Sequence, residues 1–391
     1  MTYKAAKNKL LLERILMAPF VWLGMGVGYL FPLKTKHKAF LFFPNADIGG
    51  APKVNADITA LLKHDNPLII FSKKPRNNQY FERYRNTGVK ILDLHRLIDN
   101  KLFHFVNFFY RGLLAAWINQ QARPVVFGGE SIFFYKVIPH LRKHIRCVEL
   151  THVDEWLPFS IGYIDRINAR VFSTKKGLEK VAAQYKHNNL PEAYFERLFF
   201  IDNAIDIPAL SNNQNNELQV FFIGRGSLQK RVPLVAAIAK AAHEKQLPVH
   251  VSFVGDVDKV IHPADYPYCS FYGIVKDDAK MNTIYQQADV LLLTSSFEGL
   301  PLVVMQMMAY GKVIISTAVN GIPDYIEHGK NGLLINAADE NDIITEGLAN
   351  IEMLLNNPHL KETLGTAARK YALQHFSRET FKKSYRKLLS I

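Results

Sequence analysis

The sequence predicts an α/β protein with two halves, each built on a parallel β-sheet. From residue 39 onward, short apolar runs alternate with helical stretches, a pattern typical of parallel sheets covered by helices. The alternation is interrupted at IPALSNNQNNEL, residues 207–218. This stretch is rich in Asn, Gln and Ser and has no apolar period, which indicates a linker. A chain of 391 residues has room for a domain on either side of it.

The apolar runs define the strands of the two halves. In the first half they predict strands at 39–44, 66–73, 89–94, 124–129, 147–152, 169–175 and 197–206. In the second half they predict strands at 218–224, 249–255, 269–273, 288–295 and 312–318. Ligands of open α/β sheets bind beyond the carboxyl ends of the strands, so we expect the functional site in a cleft between the halves.

The N-terminus predicts a membrane-associating segment over residues 1–38. Its apolar core, residues 15–31, is flanked on both sides by basic residues and contains Pro19. That core is at the lower limit of the length that spans a bilayer, and no small-residue cleavage site follows it, as a signal peptide would require. We favour a helix that lies in the membrane interface. A buried first helix of a soluble domain and a transmembrane anchor are the alternatives.

The charge distribution indicates an anionic partner for the first half. The net charge is +13, and the excess of basic residues lies within residues 1–200. A membrane surface, an acidic acceptor and nucleic acid all fit such an excess. The two cysteines, Cys147 and Cys269, have no metal-like spacing, which favours a reducing compartment over a disulfide framework.

Glu298 is a lone acid between a predicted buried strand, ADVLLLTS at 288–295, and a predicted helix. A carboxylate at this place either caps free N–H groups at the helix start or contacts a ligand at the sheet edge. Two further stretches favour the ligand: the glycine-rich loop VNGIPDYIEHGKNGLL after the next strand, and GRGSLQKR at 224–231.

GRGSLQKR places two cations, Arg225 and Lys230, at a strand end and in the turn that follows. A diphosphate is a natural partner for two such donors; solvated surface charge beside Arg231 is the alternative. The stretch is not a dinucleotide fingerprint, because Gln229 stands at the third glycine position, and it is not a P-loop.

Several motifs follow one another between residues 219 and 335: FIGR with Lys230, FVGD, YGIV, ADVLLLTSSFEGLPLVVMQMMAYG and VNGIPDYIEHGKNGLL. In this order they resemble the donor-binding domain of the retaining family-4 glycosyltransferases. The first half is similar only in kind, at Gly49–Gly50, THVDEW (151–156) and IDNAID (201–206).

The resemblance implies the GT-B fold, in which two Rossmann-like domains with parallel sheets face each other across a cleft. The acceptor domain would comprise residues 39–206, with a C-terminal helix, residues 376–391, that crosses back onto it. Residues 207–217 would be the linker and residues 218–375 the nucleotide-sugar donor domain.

The resemblance also implies roles for the matched residues. Arg225 and Lys230 would grip the nucleotide diphosphate, Glu298 would hydrogen-bond the donor sugar, and His152 would lie near that sugar. The other expected nucleotide-binding positions are Gly49, Gly50, Gly224, Val275, Gly299, Leu300, Leu302 and Gln306.

Gln306 departs from the family pattern, which commonly has a second glutamate here that binds the ribose. The amide oxygen still accepts a hydrogen bond but carries no charge. We therefore expect ribose binding that is weaker by roughly 1 kcal/mol, without loss of the chemistry. A non-catalytic relative is the alternative interpretation of this position.

Together these patterns predict a retaining glycosyltransferase. It would move a sugar from a nucleotide-diphosphate sugar to a hydroxyl of a glycan or lipid-linked acceptor, in surface polysaccharide or glycolipid synthesis. We expect it on the cytoplasmic face of the inner membrane, peripheral or monotopic, with an anionic membrane surface as partner and no nucleic acid. A sugar-nucleotide epimerase of the same double-Rossmann plan and a non-catalytic basic binding protein are the alternative functions.

We expect neither a cofactor nor a metal. The nucleotide sugar is a substrate, and the resemblance is to enzymes that stabilise the leaving diphosphate with cations of the protein. Asp256-Val257-Asp258 spells a D-x-D pattern, but it follows a strand where this fold normally has a turn.

Overall fold

The structure, a computed structural model, describes residues 2–47, 49–99, 104–151, 157–210, 216–298 and 301–390. The chain divides into two units. Unit 1 comprises Met1–Asn203 and Lys382–Ile391, and unit 2 comprises Ala204–Phe381. The division falls just before the predicted linker 207–217, of which residues 211–215 lie outside the described part.

Within its described residues, unit 1 has a seven-stranded sheet of the order β3-β2-β1-β4-β5-β6-β7. All of its strand pairs are parallel. The strands are β1 Ala39–Phe43, β2 Leu68–Phe71, β3 Lys90–Asp93, β4 Val125–Gly129, β5 Arg146–Thr151, β6 Ala169–Phe172 and β7 Leu198–Phe200. The chain runs outward from β1 to β3 and then returns to place β4 on the other side of β1. The carboxyl ends of β1 and β4 are therefore a topological switch point, where open α/β sheets bind ligands.

The helices of unit 1 flank this sheet. They are α1 Tyr3–Leu30, α2 Gly50–Leu62, α3 Phe81–Arg85, α4 His95–Ile98, α5 His104–Asn119, α6 Ile132–Val137, α7 Leu157–Ser160, α8 Lys175–His187 and α9 Glu192–Phe195. Phe133, Phe134 and Tyr135 of α6 are buried in the core of this unit.

The N-terminal segment is one long helix that packs against α5. A Cβ at Gly24 would lie 1.9 Å from the carbonyl oxygen of Phe109, and a Cβ at Gly112 would lie 1.9 Å from that of Val21. The two backbones thus touch along a seam that only glycine permits. Pro19 lies inside α1 and does not end it.

Unit 2 has a six-stranded sheet of the order β10-β9-β8-β11-β12-β13 among its described residues. The strands are β8 Leu218–Ile223, β9 Val249–Val254, β10 Ser270–Phe271, β11 Val290–Leu293, β12 Val313–Thr317 and β13 Leu333–Ile335. The helices are α10 Val232–Glu244, α11 Asp278–Gln287, α12 Leu302–Ala309, α13 Glu340–Asn356, α14 Pro358–His375 and α15 Arg378–Leu389. Here the switch point lies between β8 and β11.

The predicted α/β class with two parallel sheets is confirmed. Helix α15 begins in unit 2, and its last residues belong to unit 1. There Tyr385 packs edge-on against Phe127, and the Arg146 guanidinium donates to the carbonyl of Leu388 at 3.0 Å. Strand β13 was not predicted, because its apolar run is only three residues long and follows a glycine-rich loop.

Candidate active site

The switch point of unit 2 brings together two loops that lie far apart in sequence. Strands β8 and β11 pair directly, with Val220 opposite Val290. The loop after β8 carries GRGSLQKR, and the loop after β11 carries Glu298. The sheet order thus places the two cation positions and the acid at the same edge.

Lys230 and Glu298 form a buried ion pair at this edge. Lys230 is 9% exposed and Glu298 is 6% exposed. The ammonium of Lys230 donates to Oε1 of Glu298, and Ser295 donates to the same oxygen at 2.6 Å. Oε2 of Glu298 and the other two ammonium protons of Lys230 have no partner among the described residues. The pair therefore retains hydrogen-bonding capacity for a ligand.

Arg231 fixes the two loops to each other. It adopts a left-handed conformation with φ of 45°, and its guanidinium donates to the carbonyls of Thr294 at 2.6 Å and Ser295 at 3.0 Å. In return, Thr294 donates its hydroxyl proton to the carbonyl of Arg231 at 3.0 Å. This residue, for which the sequence analysis predicted no role, positions the Lys230–Glu298 pair.

Glycines let the β8 and β9 loops approach each other closely. A Cβ at Gly255, whose φ is +128°, would lie 1.8 Å from the carbonyl oxygen of Gly224. A Cβ at Gly226 would lie 2.1 Å from the carbonyl oxygen of Asp256, whose carboxylate accepts from the Gly226 N–H at 2.9 Å. The Lys259 ammonium and this N–H lower the pKa of Asp256 to about 2. The first acid of the D-x-D pattern therefore braces the loop.

Arg225 lies on the loop that these contacts hold. Its side chain is exposed, and it makes no hydrogen bond or ion pair with any described residue. Unlike Lys230, it is a free cation at the same strand end. Two cations and one acid thus follow the two strands of the switch point, although a direct contact joins only Lys230 and Glu298.

The segment that holds these residues, 217–353, matches the protein family described as glycosyl transferases group 1. We refer to this matched segment as the group 1 domain. The match covers about a third of the chain, so it identifies the domain and not the protein as a whole.

Sequence relatives of the chain include enzymes of sugar transfer. One is N-acetyl-alpha-D-glucosaminyl L-malate synthase of Bacillus anthracis, 32% identical over 98 residues, which is 25% of each chain. Another is the capsular polysaccharide biosynthesis glycosyltransferase CapM of Staphylococcus aureus, 22% identical over 54% of this chain and 52% of CapM. The matches thus span about a quarter to a half of these relatives' lengths.

The fold is shared over nearly the whole chain with solved glycosyltransferase structures. Anabaena HepE, solved in complex with UDP and glucose, covers 90% of this chain with 99% of its own, at a TM-score of 0.66 and 15% identity. This similarity confirms the predicted GT-B fold class. At this level of identity it is evidence for the fold alone, and the assignment to retaining family 4 stays a prediction.

The group 1 domain has a cavity at the carboxyl ends of β9 and β10. Its volume is about 400 Å³, and its lining includes Gly255, Asp256, Phe271, Gly273 and Ile274. Val275, predicted to lie with its neighbours against the nucleobase, is half-buried directly after this lining. The cavity is therefore the candidate site for the base.

The remaining predicted positions of the domain lie around α12. Leu302 is its first residue, and Gln306 is half-buried one turn further on. Gly299 and Leu300 lie outside the described residues, as do His152 and the acidic pair that follows it. Gly49 and Gly50 are exposed at the start of α2, and a Cβ at Gly50 would meet no atom within 4 Å. The roles predicted for these residues stay predictions.

Unit 1 has a cavity of its own that the sequence did not predict. Its volume is about 590 Å³, and it lies beyond the carboxyl ends of β1, β2 and β4, at the switch point of this sheet. The lining includes five basic residues: Lys73, Lys74, Arg76, Arg111 and Lys136. The lysines of the loop after β2 and the cations of α5 and α6 are separated in sequence, and only the strand order brings them together.

Proposed function

We propose that the protein is a retaining glycosyltransferase that uses a nucleotide-diphosphate sugar as its donor. The observation that carries this proposal is the half-satisfied Lys230–Glu298 pair at the switch point of a glycosyl transferases group 1 domain. A buried ion pair that served stability alone would have its remaining donors and acceptors filled. Within the described part of the chain, this pair leaves protons and a carboxylate oxygen available where ligands of such sheets bind.

The three charged residues act on different parts of the donor. Lys230 and Arg225 stabilise the negative charge that develops on the leaving diphosphate, which is the electrostatic contribution most useful to such a transfer. Because two protein cations serve this purpose, the transfer proceeds without a metal. Glu298 accepts hydrogen bonds from sugar hydroxyls, and the cavity beyond β9 and β10 takes the base.

The reaction exchanges one bond to the anomeric carbon for another. The bond to the diphosphate oxygen breaks, a bond to the acceptor oxygen forms on the same face, and the departing phosphate takes the proton of the acceptor hydroxyl. The protein contributes positioning and charge stabilisation. The similarity to CapM supports an acceptor in surface polysaccharide synthesis, and the complex of HepE with UDP and glucose makes UDP-sugars the first donors to test.

We also propose that α1 attaches the enzyme to the cytoplasmic face of an anionic membrane as a helix in the plane of the interface. By length and composition α1 is able to cross a membrane. The glycine seam, however, fixes one side of it along α5. The opposite side exposes large apolar side chains, each 42–76% accessible: Leu11, Leu12, Ile15, Leu16, Phe20, Trp22, Leu23, Tyr29 and Leu30.

The charges around this apolar side match an anionic bilayer. Exposed basic residues flank it at both ends: Lys4, Lys9, Arg14, Lys34, Lys36 and Lys38. A helix with an apolar face and basic flanks binds in the membrane interface. Its apolar face is buried among the lipids, and its basic flanks attract anionic lipid headgroups. A helix pinned to its own protein along one side lies on the membrane instead of crossing it.

Donor binding is tested by the thermal stability of the full chain with UDP-, GDP- and other nucleotide sugars. A ligand at 100-fold over its dissociation constant adds about 2.7 kcal/mol of stability. Arg225→Ala should abolish most of that gain, because this cation is exposed and free. Lys240→Ala removes an exposed lysine of α10 and should leave the gain intact. Equal stabilisation of wild type and Arg225→Ala would contradict the assignment.

Transfer itself is tested by incubating the enzyme with a stabilising nucleotide sugar and a mixture of membrane-lipid and glycan acceptors. Release of the nucleoside diphosphate together with an acceptor-linked sugar of unchanged anomeric configuration, read by NMR, is the expected result. Conversion of the donor to an isomer without any acceptor would favour the epimerase.

Membrane docking is tested with a variant that keeps α1 folded, because deleting the helix would expose the face of α5 on which it packs. Leu12→Ser, Leu16→Ser and Leu23→Ser together should abolish co-sedimentation with vesicles of phosphatidylcholine and phosphatidylglycerol. The control replaces the exposed Leu210, Leu228 and Ile274 of unit 2 with serine. Unchanged sedimentation of the α1 variant would refute the proposal.

A further inference from the structure

The cavity of unit 1 has the position of a binding site. It lies beyond the carboxyl ends of β1, β2 and β4, where the strand order reverses. Its volume of about 590 Å³ is in the range of small-molecule sites. None of the catalytic or nucleotide-binding positions predicted from the sequence lines it.

The wall formed by the loop after β2 is positively charged. The side chains of Lys73 and Lys74 are exposed and make no hydrogen bond or ion pair with any described residue. Three acids also line the cavity: Asp47, Asp99 and Glu130. Asp99 accepts from the backbone N–H of Lys74 at 2.9 Å, and Asp47 accepts from those of Arg76, Asn77 and Asn78.

The backbone contacts also keep Asp47 ionised. Burial opposes its charge, but the N–H groups of residues 76–78 outweigh burial and lower the pKa of this carboxyl. Asp47 and Asp99 thus hold the loop in place, while the ammonium groups of Lys73 and Lys74 remain available to an anion.

The opposite wall is tied to the N-terminal helix. Arg111 of α5 and Lys136 of α6 both bind Glu13 of α1, at 2.7 Å and 2.6 Å. Burial raises the pKa of Glu13, but Lys136 and Arg111 outweigh it and lower the pKa overall. The only acid in the apolar helix thus joins that helix to the cavity.

An aromatic track leads from the exposed face of α1 to the cavity. The ring of Phe20 on α1 lies 6.2 Å from those of Phe105 and Phe108 on α5. Phe20 is 43% exposed and Phe105 is 49% exposed, and Phe108 lines the cavity. An apolar surface therefore runs from the proposed membrane face into a positively charged pocket.

We infer that this cavity binds the phosphate or diphosphate of a lipid whose hydrocarbon chain lies over Phe108, Phe105 and the apolar face of α1. The lysines at 73 and 74 recognise the phosphate oxygens by charge-assisted hydrogen bonds, and the aromatic track covers the first carbons of the chain. The inference rests on the proposed function and deepens it: a glycan carried by this lipid phosphate would supply the acceptor hydroxyl.

The test measures binding of decyl phosphate, inorganic phosphate and the uncharged decyl maltoside to the full chain by calorimetry, below the micelle concentrations. Decyl phosphate should bind at least about tenfold more tightly than either of the others, because only it satisfies both the lysines and the aromatic track. Equal affinity for inorganic phosphate would refute the lipid, and equal affinity for decyl maltoside would refute the phosphate.

Two variants locate the site. Lys73→Gln with Lys74→Gln should weaken decyl phosphate by about tenfold or more. The control, Lys63→Gln with Lys90→Gln, removes two exposed lysines at the other end of the same sheet and should change nothing. Phe108→Ala should weaken decyl phosphate while leaving the weak binding of inorganic phosphate unchanged. Wild-type affinity in the Lys73/Lys74 variant would refute the inference.

The two proposals fail separately. Nucleotide-sugar stabilisation should be the same in wild type and in the Lys73/Lys74 variant, because those lysines belong to unit 1. If the wild type bound decyl phosphate but no nucleotide sugar, the proposed transfer would be refuted and the lipid phosphate site would stand. The opposite result would refute only the site.

Discussion

Each unit contains a buried cation–carboxylate pair, and the two pairs differ in how fully their polar atoms are satisfied. In unit 1, Arg170 on β6 lies opposite Glu149 on β5, and both side chains are 1% exposed. In unit 2, Lys230 and Glu298 are also buried, but they lie in loops beyond the strand ends. Burial alone does not distinguish them.

The Arg170–Glu149 pair is saturated in the sense that each of its side-chain nitrogen and oxygen atoms has a partner. Arg170 donates to both oxygens of Glu149, to Ser160 at 2.7 Å and to the hydroxyl of Tyr185 at 2.9 Å. Tyr135 donates to Oε1 of Glu149. Burial and the negative charge of Glu149 raise the pKa of Tyr135, which keeps its phenol protonated as a donor.

The Lys230–Glu298 pair is open by comparison. Ser295 is its sole additional partner within the described residues, and donors and an acceptor are left over. A buried network that is only partly satisfied costs free energy, so its retention at a switch point points to a ligand that completes it. The saturated Arg170–Glu149 pair needs no ligand to satisfy its polar atoms, and it links β5 to β6.

The largest expected effect is the loss of stability when the saturated Arg170–Glu149 pair is broken. Arg170→Met should destabilise unit 1 by about 3–5 kcal/mol, because it leaves the carboxylate of Glu149 buried without its cation. The three tryptophans, Trp22, Trp117 and Trp156, all fall in unit 1, so urea unfolding followed by tryptophan fluorescence reports this unit. Adding Glu149→Gln should recover part of the loss. A loss under about 1 kcal/mol would show that the pair is not structural.

Lys230→Met should have the opposite profile. Turnover should fall about 10²- to 10³-fold, as expected when a group that stabilises transition-state charge is removed. The stability loss should be smaller than in Arg170→Met, since Glu298 lies in a loop and is 6% exposed, whereas Glu149 lies within the sheet and is 1% exposed. Lys240→Met, on the exposed side of α10, is the control. Activity that declines only in proportion to the unfolded fraction would assign Lys230 to structure.

Two serines, Ser160 and Ser295, test the contrast further, because each forms a hydrogen bond with one member of one pair. Ser160→Ala removes an acceptor of Arg170, and Ser295→Ala removes a donor to Glu298. Each should cost about 1 kcal/mol of stability, the typical value for one hydrogen bond. Only Ser295→Ala should also change kcat or KM for the donor. Equal kinetic effects of the two substitutions would remove the distinction between the pairs.

The sequence allowed the fold to be predicted well where apolar runs are long. Strands such as β1 and β11 are fully buried runs in a parallel sheet, and their pattern is unmistakable. Strand β13 has three residues after a glycine loop, and its pairing with β12 depends on tertiary contact. Helix α1 could be predicted as apolar, but its position on α5 depends on Gly24 facing the backbone of Phe109 and on Gly112 facing that of Val21, and these pairs are about ninety residues apart in the sequence.

The site was predictable only as far as its chemistry resembles known motifs. Arg225, Lys230 and Glu298 carry charges at strand ends, so they could be predicted as site residues from the sequence. Ser295 stands three residues before Glu298, and this S-x-x-E spacing suggested a helix cap, whereas the hydroxyl supports the acid itself. Arg231 acts through carbonyl groups of another loop, and no local pattern shows that. The cavity of unit 1 escaped prediction because its cations meet only through the order β2-β1-β4.

The smallest expected effect is at Gln306. The open pair in unit 2 predicts that this neighbourhood tolerates a further charge, whereas the saturated core around Glu149 does not. Gln306 is half-buried on α12, and its side chain has no hydrogen bond to any described residue. Gln306→Glu should therefore leave thermal stability nearly unchanged.

The carboxylate of the Gln306→Glu variant should tighten the binding of the nucleoside diphosphate by roughly fivefold. This corresponds to about 1 kcal/mol, the gain when a charged hydrogen bond replaces a neutral one. Calorimetry with UDP, and with a 2′,3′-dideoxy analogue as the control, separates a ribose contact from a general change in charge. If the substitution weakened both ligands equally, the added charge would be repelling the diphosphate. Position 306 would then lie nearer to the phosphates than to the ribose.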